Sequence, residues 1–483
     1  MSNILYISSE AFPLIKTGGL ADVAGSLPAA LKKKGQNIRL VIPAYPEALS
    51  KLSKPKVRTE THYYNLAVKI IEARLPGTSV TTWLVDCPAL FDRPGGPYID
   101  VHGNEWHDNA LRFALFCHTI VDLALNKLQL NWHADIVHCN DWQTGLVPAL
   151  LSLHEPRPTT IFTIHNLAYQ GVFEEQAFYD LHLPNSLWHM HGLEFYNQLS
   201  FIKGGLAYAD KITTVSPTYA TEIREPENGY GLNGLLQYRE KDLLGILNGI
   251  DEKHWNPGTD HHLEQKYNRR SLNKKVINKT ALQKEFDLPV SETIPLLGMV
   301  SRLVEQKGLD IILECMPELM KLKLQIVILG TGDLHYEMQL SELAQQYPNT
   351  LVVKLGYSER LAHRIEAASD MYLMPSRFEP CGLNQLYSLR YATLPIATQV
   401  GGLADTVIHA NKANIDNGTA NGFFLKEHSS TALLDTIKQA INLYNEKKLW
   451  KQLRHNAISC DHSWEVSAEH YINLYQQVLE KTK

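Results

Sequence analysis

Short apolar runs alternate with amphipathic stretches along this chain. Ile4-Leu-Tyr-Ile-Ser8 is an unbroken apolar run and predicts a strand. After a loop, apolar residues recur at helical spacing from about Leu20 to Lys34, where Gly35 stops them. Ile38–Ile42 predicts a second strand, ended by Pro43. Strands that lack a polar face and alternate with helices belong to a buried parallel sheet. The same signature predicts strands at Asp135–Cys139, Thr160–Ile164 and Lys211–Val215, with helices at Asn109–Leu125 and Gly145–Leu153.

The second half repeats the plan. Strands are predicted at Pro295–Val300, Gln325–Leu329, Leu351–Leu355, Met371–Pro375 and Leu394–Thr398. Helices are predicted at Leu309–Lys321, His335–Tyr347 and Ser358–Ala368. A polar stretch, Lys241–Thr293, separates the halves and places a hinge near Gly245–Asp251. The words Gly18-Gly-Leu-Ala-Asp22 and Gly401-Gly-Leu-Ala-Asp405 each stand ahead of a helical pattern, as in two lobes of similar build. From Trp464 onward, Val466, Tyr471, Leu474, Tyr475 and Val478 form an apolar helical face, with Ser463 a candidate N-cap.

Composition narrows the class. The 483 residues are 44% hydrophobic and 20% charged, which excludes wholesale disorder, and the length suits two large α/β domains. A net charge of −5 argues against a nucleic-acid footprint but leaves room for a local cationic pocket. The start has no basic n-region, and the longest apolar runs, such as Leu146–Leu153, fall far short of the ~18 residues that a membrane span needs. Six scattered cysteines form no Cys-x-x-Cys pair, and the reading is reduced thiols in a cytoplasmic enzyme.

In parallel α/β sheets, ligands bind outside the carboxyl ends of strands, so the loops there carry the candidate chemistry. The first, Glu10 to Gly19, contains Lys16-Thr-Gly18-Gly19. Backbone amides freed of side chains at a helix start favour an anion, and Lys16 adds a cation, although a Gly-rich turn with a solvated lysine has the same spelling. Arg302 and Lys307 follow a strand of the second half and suit a diphosphate, or are two surface cations beside Glu305. Glu379, in Arg377-Phe-Glu-Pro-Cys-Gly382-Leu, can accept from sugar hydroxyls or serve a helix dipole. His165 sits directly after a strand, and Asp141-Trp142 pairs an acid with an aromatic ring. Asp141 is equally a helix N-cap.

Several absences matter. No Asp-x-Asp, His-Glu-x-x-His, Gly-x-Ser-x-Gly, Walker loop or Gly-x-Gly-x-x-Gly after the strand is present. His189/His191 and His261/His262 are pairs without a third ligand at suitable spacing. Charge neutralisation by Arg302 and Lys307 without a metal is the economical expectation, and a nicotinamide dehydrogenase is disfavoured.

Together these words resemble the bacterial glycogen synthases and plant starch synthases, glycosyltransferase family 5. The carriers are Lys16-Thr-Gly-Gly-Leu20, His165-Asn-Leu-Ala-Tyr-Gln-Gly171, Asn248-Gly-Ile-Asp251, Ser301-Arg-Leu through Gln306-Lys-Gly308, and Pro375-Ser-Arg-Phe-Glu-Pro-Cys-Gly-Leu383. The resemblance implies a GT-B architecture of two Rossmann-like lobes, with the active site in the cleft. The lobes would span 1–245 (acceptor side) and 246–460 (nucleotide-sugar side), and a helix at 461–483 would return to the first. It implies transfer of glucose from ADP-glucose to the non-reducing 4-hydroxyl of an α-1,4-glucan, with retention and with no cofactor or metal.

The residue roles it implies are these. Lys16, Arg302 and Lys307 hold the diphosphate, and Gly18 and Gly19 bring backbone to the donor. His165 holds the glucose, with Asn166 beside it at the substrate. Glu379 orients the sugar, with Cys381, Gly382 and Leu383 at a helix start. Tyr98 and Asp141 lie near the donor–acceptor junction, and Asn248 near the hinge. Many retaining relatives of the wider class carry a second Glu eight positions after the first, for the ribose; here Tyr387 stands there. Alternatives are another donor or acceptor on the same fold, and a non-catalytic glucan-binding protein.

Overall fold

The structure, a computed structural model, describes residues 2–481. It divides into two compact units. The first runs through Gly249 and takes back the segment from Trp464; the second is Ile250–Ser463. The divisions fall a few residues beyond the positions 245 and 460 expected from the sequence.

In chain order, the strands of unit 1 are β1 (Asn3–Ile7), β2 (Asn37–Pro43), β3 (Lys56–Tyr63), β4 (Leu66–Arg74), β5 (Thr81–Asp86), β6 (Ile136–Asn140), β7 (Thr159–Ile164), β8 (Val172–Glu174), β9 (Glu194–Phe195), β10 (Gln198–Ser200), β11 (Lys211–Thr214) and β12 (Leu243–Gly245). Nine of them form one sheet in the order β12-β11-β7-β6-β1-β2-β5-β4-β3, while β8, β10 and β9 form a small antiparallel sheet. From β12 to β5 the large sheet is parallel; β4 and β3 extend it antiparallel. The central strands are buried along nearly their whole length, which is why they read as unbroken apolar runs. The β3–β5 meander was not foreseen, because β3 alternates exposed and half-buried residues at a sheet edge.

The helix Trp464–Lys481 packs on the helix Gly19–Lys33 of unit 1. Buried His138 on β6 is shared between the Tyr475 hydroxyl, 2.7 Å away, and the Thr163 hydroxyl, 2.6 Å away. Burial pushes this imidazole down to about 3, so it stays neutral, with one nitrogen donating and the other accepting.

Unit 2 is wholly parallel, in the order β15-β14-β13-β16-β17-β18, from β13 (Leu296–Val300), β14 (Gln325–Gly330), β15 (Leu351–Leu355), β16 (Met371–Met374), β17 (Leu394–Ala397) and β18 (Phe423–Phe424). Leu297, Met299, Ile326, Ile328, Leu373 and Ile396 fill its core against the helices Leu309–Leu319 and Ser430–Asn445. The latter helix and the one at Lys447–Ala457 were not anticipated. Each unit thus has the α/β, parallel-sheet build of a Rossmann-like lobe. Among the described residues, no helix is long and apolar enough to cross a membrane.

Candidate active site

Of the residues expected in unit 1, the Lys16–Gly19 loop, Tyr98, Asp141 and His165 gather where β1, β6 and β7 end, whereas Asn248 follows β12. After β6, Asp141 adopts φ +56°, and its side chain caps no helix. Its Oδ1 instead accepts the backbone N–H of His165 at 2.7 Å, with the Asn166 amide at 3.5 Å. The N-cap alternative for Asp141 is therefore replaced by a clamp on the loop after β7. His165 is oriented from a second side. Asn140 donates its Nδ2 to the Ile7 carbonyl at 2.8 Å, so its Oδ1 is the acceptor for the His165 Nε2–H, 2.9 Å away. That bond leaves Nδ1 as the accepting nitrogen. Loss of solvent around the ring pushes the His165 imidazole down to about 3, so it is neutral near pH 7.

Glu10 carries a role the sequence reading did not assign. Its buried carboxylate accepts from the amides of Thr17 and Gly18, at 3.3 Å for Gly18, and from the Tyr98 hydroxyl at 3.1 Å. The Tyr98 hydroxyl also meets the Ser9 hydroxyl at 2.6 Å. Glu10 therefore ties the Lys16–Gly19 loop to Tyr98. Burial raises Glu10 to about 7, against the opposing pull of the Thr17 and Gly18 amides. Burial likewise raises Asp141 to about 7, and the charge of Glu10 adds to the rise. The only signal for Glu10 in the sequence was its place two residues after a strand and ahead of a glycine pair.

Lys16 is exposed, and its Nζ pairs with Asp22 at 2.7 Å. Gly18 precedes the helix Gly19–Lys33, and a methyl group added there would meet nothing within 4 Å. Packing within the chain therefore does not require a glycine at that spot. Asn248 is buried, and its Oδ1 has no hydrogen-bond partner. Beside the His165 loop lies a cavity of about 450 Å³ lined by Glu105, Asn109, Trp142, Tyr169, Gln170 and Tyr230 among others. Gly171 forms part of its wall at φ +59°, and a Cβ there would strike the Trp142 ring at 2.2 Å.

In unit 2, two loops interlock at the ends of β13 and β16. Gly308, at φ +75°, packs so tightly that a Cβ would lie 2.1 Å from the Pro375 carbonyl oxygen. The Arg377 amide donates to the Gln306 carbonyl at 2.9 Å, and Gln306 donates to the Phe378 carbonyl at 3.1 Å. This lacing sets Lys307 Nζ 2.5 Å from Glu379 Oε2, which also accepts from the Ser376 hydroxyl at 3.1 Å. Arg302 is exposed and donates to Gln306 at 3.3 Å. The structure brings Lys307 and Glu379 into direct contact, where the sequence reading gave them separate partners.

After Glu379, buried Cys381 and Gly382 at φ +69° lead to Leu383, which precedes the short helix Asn384–Arg390. The second glycine pair, Gly401-Gly402, packs on the backbone of Glu379 and Cys381, where a Cβ would meet oxygens at 2.0 and 2.1 Å. The two repeated words thus differ in purpose: one is open, the other is a packing contact. Tyr387 lies flat against Trp255, 3.8 Å between ring centres.

Comparison with known proteins gives this geometry its context. Residues 3–238 match the family description "Starch synthase catalytic domain", and residues 282–459 match "Glycosyl transferases group 1". The chain is 53% identical to the glycogen synthase of Cellvibrio japonicus over 98% of its own length and 99% of the relative's. It belongs to the glycogen synthase family.

Glycogen synthase 1 of Methylococcus capsulatus is 49% identical over 99% of this chain and 96% of the relative. Among solved structures, the catalytic domain of Arabidopsis thaliana starch synthase IV, bound to ADP and acarbose, superposes with a TM-score of 0.90. It is 32% identical and covers 99% of both chains. As a member of this family the chain is a glycosyltransferase, and its fold is the two-domain GT-B type of these enzymes.

Proposed function

We propose that the chain transfers glucose from ADP-glucose to the non-reducing-end 4-hydroxyl of an α-1,4-glucan, with retention and without a metal. The observation that carries this reading is the Lys307–Glu379 pair, held at strand ends by the interlocked loops of unit 2. It is supported by similarity to a starch synthase solved with ADP and acarbose.

In this reading Arg302, Lys307 and Lys16 neutralise the diphosphate, doing by side-chain charge what a metal does elsewhere. The backbone at Gly18 and Gly19 approaches the donor, and Glu379 accepts from the glucose hydroxyls. The loop from Cys381 through Gly382 and Leu383 approaches the phosphates. The neutral His165 offers Nδ1 to a sugar hydroxyl, and lack of charge there suits a transition state whose sugar ring becomes positive. Asp141 and Tyr98, with Asn166, border the reacting sugar. Asn248 uses its unpartnered oxygen on the substrate. The Trp142–Tyr169–Tyr230 cavity takes the acceptor glucan.

The chemical step is attack on the face from which the leaving group departs. The bond from C1 to the phosphate oxygen breaks, the bond from C1 to the acceptor O4 forms, and the acceptor proton passes to the leaving diphosphate oxygen. Preorganised positive charge on that diphosphate is the main catalytic term. Free thiols at all six cysteines fit a cytoplasmic setting.

The test is incorporation of labelled glucose into glycogen from ADP-glucose and, in competition, from UDP-glucose. Preference for ADP-glucose with an α-linked product supports the reading. Equal use of the two donors, or an inverted product, overturns it.

A further inference from the structure

Away from these clusters, unit 2 gathers imidazoles and a carboxylate at one point. Glu359 and His363 stand one turn apart on the helix Glu359–Ala368. His254 Nε2 lies 2.6 Å from Glu359 Oε1. One donor atom from each of His254, Glu359 and His363 falls within 4.8 Å of the other two. The rings of His254 and His262 are each centred 5.0 Å from that of His363.

His363 is built for a task that the rest of the chain does not explain. It is 1% exposed. Its Nδ1 bonds Asp260 Oδ2 at 2.7 Å, and Trp255 stacks on its face at 3.8 Å. Asp260 is itself held by the Tyr391 hydroxyl at 2.6 Å and the His262 amide at 2.8 Å. The remaining nitrogen, Nε2, is enclosed and has no hydrogen-bond partner. An unpaired buried polar atom is costly, and it calls for a ligand. A carboxylate that takes one imidazole N–H and leaves the other nitrogen's lone pair free is the usual support of a metal-bound histidine.

We propose that His254, Glu359 and His363 bind a divalent transition-metal ion, with Asp260 orienting His363 and His262 or water completing the shell. Two imidazoles and a carboxylate suit Zn²⁺ and its neighbours in the first transition row. Metal–nitrogen bonds of about 2.0–2.1 Å bring donors within roughly 4 Å of each other. His254 and Glu359, with side chains 30% and 40% exposed, have the freedom to close that gap. The ion would clip the segment after Ile250 to the helix Glu359–Ala368. Trp255, sandwiched between His363 and Tyr387, lies within the clipped segment. The local sequence does not mark His254 as a ligand, because Glu359 and His363 come from a helix far along the chain.

The test is titration of Zn²⁺ into the metal-stripped full-length protein by calorimetry, with Co²⁺ absorption as a second readout. The expected result is one site per chain that His254→Ala and Glu359→Gln each weaken at least about tenfold, with loss of the Co²⁺ bands. Circular dichroism checks that these half-exposed substitutions leave the fold intact. His191→Ala, at the His189–His191 pair of unit 1, is expected to leave binding unchanged. Equal affinity in wild type and both unit 2 variants, or loss only with His191→Ala, would overturn the proposal.

Discussion

Lys307 Nζ lies 2.5 Å from Glu379 Oε2, and both side chains are largely withdrawn from solvent. Neither charge can be changed without consequence for the other. Lys307→Met leaves a buried carboxylate unpaired, which is expected to cost about 3–5 kcal/mol in stability. The double variant Lys307→Met/Glu379→Gln removes both charges. It should recover most of that stability in urea unfolding while glucose transfer stays suppressed. Recovery of turnover in the double variant would reduce the pair to a structural role.

Arg302 offers a cleaner test of charge at the leaving group, because it is exposed. Arg302→Ala is expected to leave stability within about 0.5 kcal/mol of wild type. Its kcat should fall by about 10²–10³-fold, as for loss of one donor to developing charge. Near-normal turnover in a steady-state assay would remove Arg302 from the mechanism.

Two glycines are expected to respond differently to the same substitution. Gly308→Ala places a methyl group 2.1 Å from a carbonyl oxygen at φ +75°. The backbone strain alone is about 1–3 kcal/mol, so the melting temperature of unit 2 should drop. Gly18→Ala meets nothing within 4 Å and should cost less than about 1 kcal/mol. Its effect should appear in KM for the sugar nucleotide. Unchanged donor KM would show that the open space at Gly18 is not used by substrate.

Acid–base behaviour follows from Glu10 and Asp141. Burial raises Glu10 from 4.5 to about 7 and Asp141 from 3.8 to about 7. The folded state therefore holds these protons more tightly than the unfolded chain. Stability from this source is full below the ordinary carboxylate range and is lost as pH rises through 7. The shift accounts for roughly 3 kcal/mol at Glu10 and roughly 4 kcal/mol at Asp141 across that window. Glu10→Gln removes one of the two. Its thermal midpoint relative to wild type should improve from about pH 5 to about pH 8. A difference that does not change with pH would contradict a protonated Glu10 in the fold.

What the sequence disclosed, and what it hid, divides along physical lines. β1, β6 and β7 were readable because strands buried on both faces carry unbroken apolar runs. β3 was not, because an edge strand with half its residues in solvent spells Lys-Val-Arg-Thr-Glu-Thr-His-Tyr and resembles a loop. The site words were visible as single phrases after strands. Their partnerships were not. Asp141 reads equally as a helix cap or as an acid beside an aromatic ring until the His165 amide is found on its carboxylate. Glu10 has no assigned role in the sequence, and burial and two amides make it a loop anchor. Such roles depend on what three-dimensional packing brings near, which local pattern does not encode.

The helix Trp464–Lys481 completes unit 1 although the whole of unit 2 is synthesised before it. While the ribosome is still making unit 2, His138 lacks the Tyr475 hydroxyl and the helix Gly19–Lys33 lacks its cover. Unit 2, whose residues are contiguous, can finish folding first. The last contacts of unit 1 can therefore form only after all of unit 2 has been synthesised.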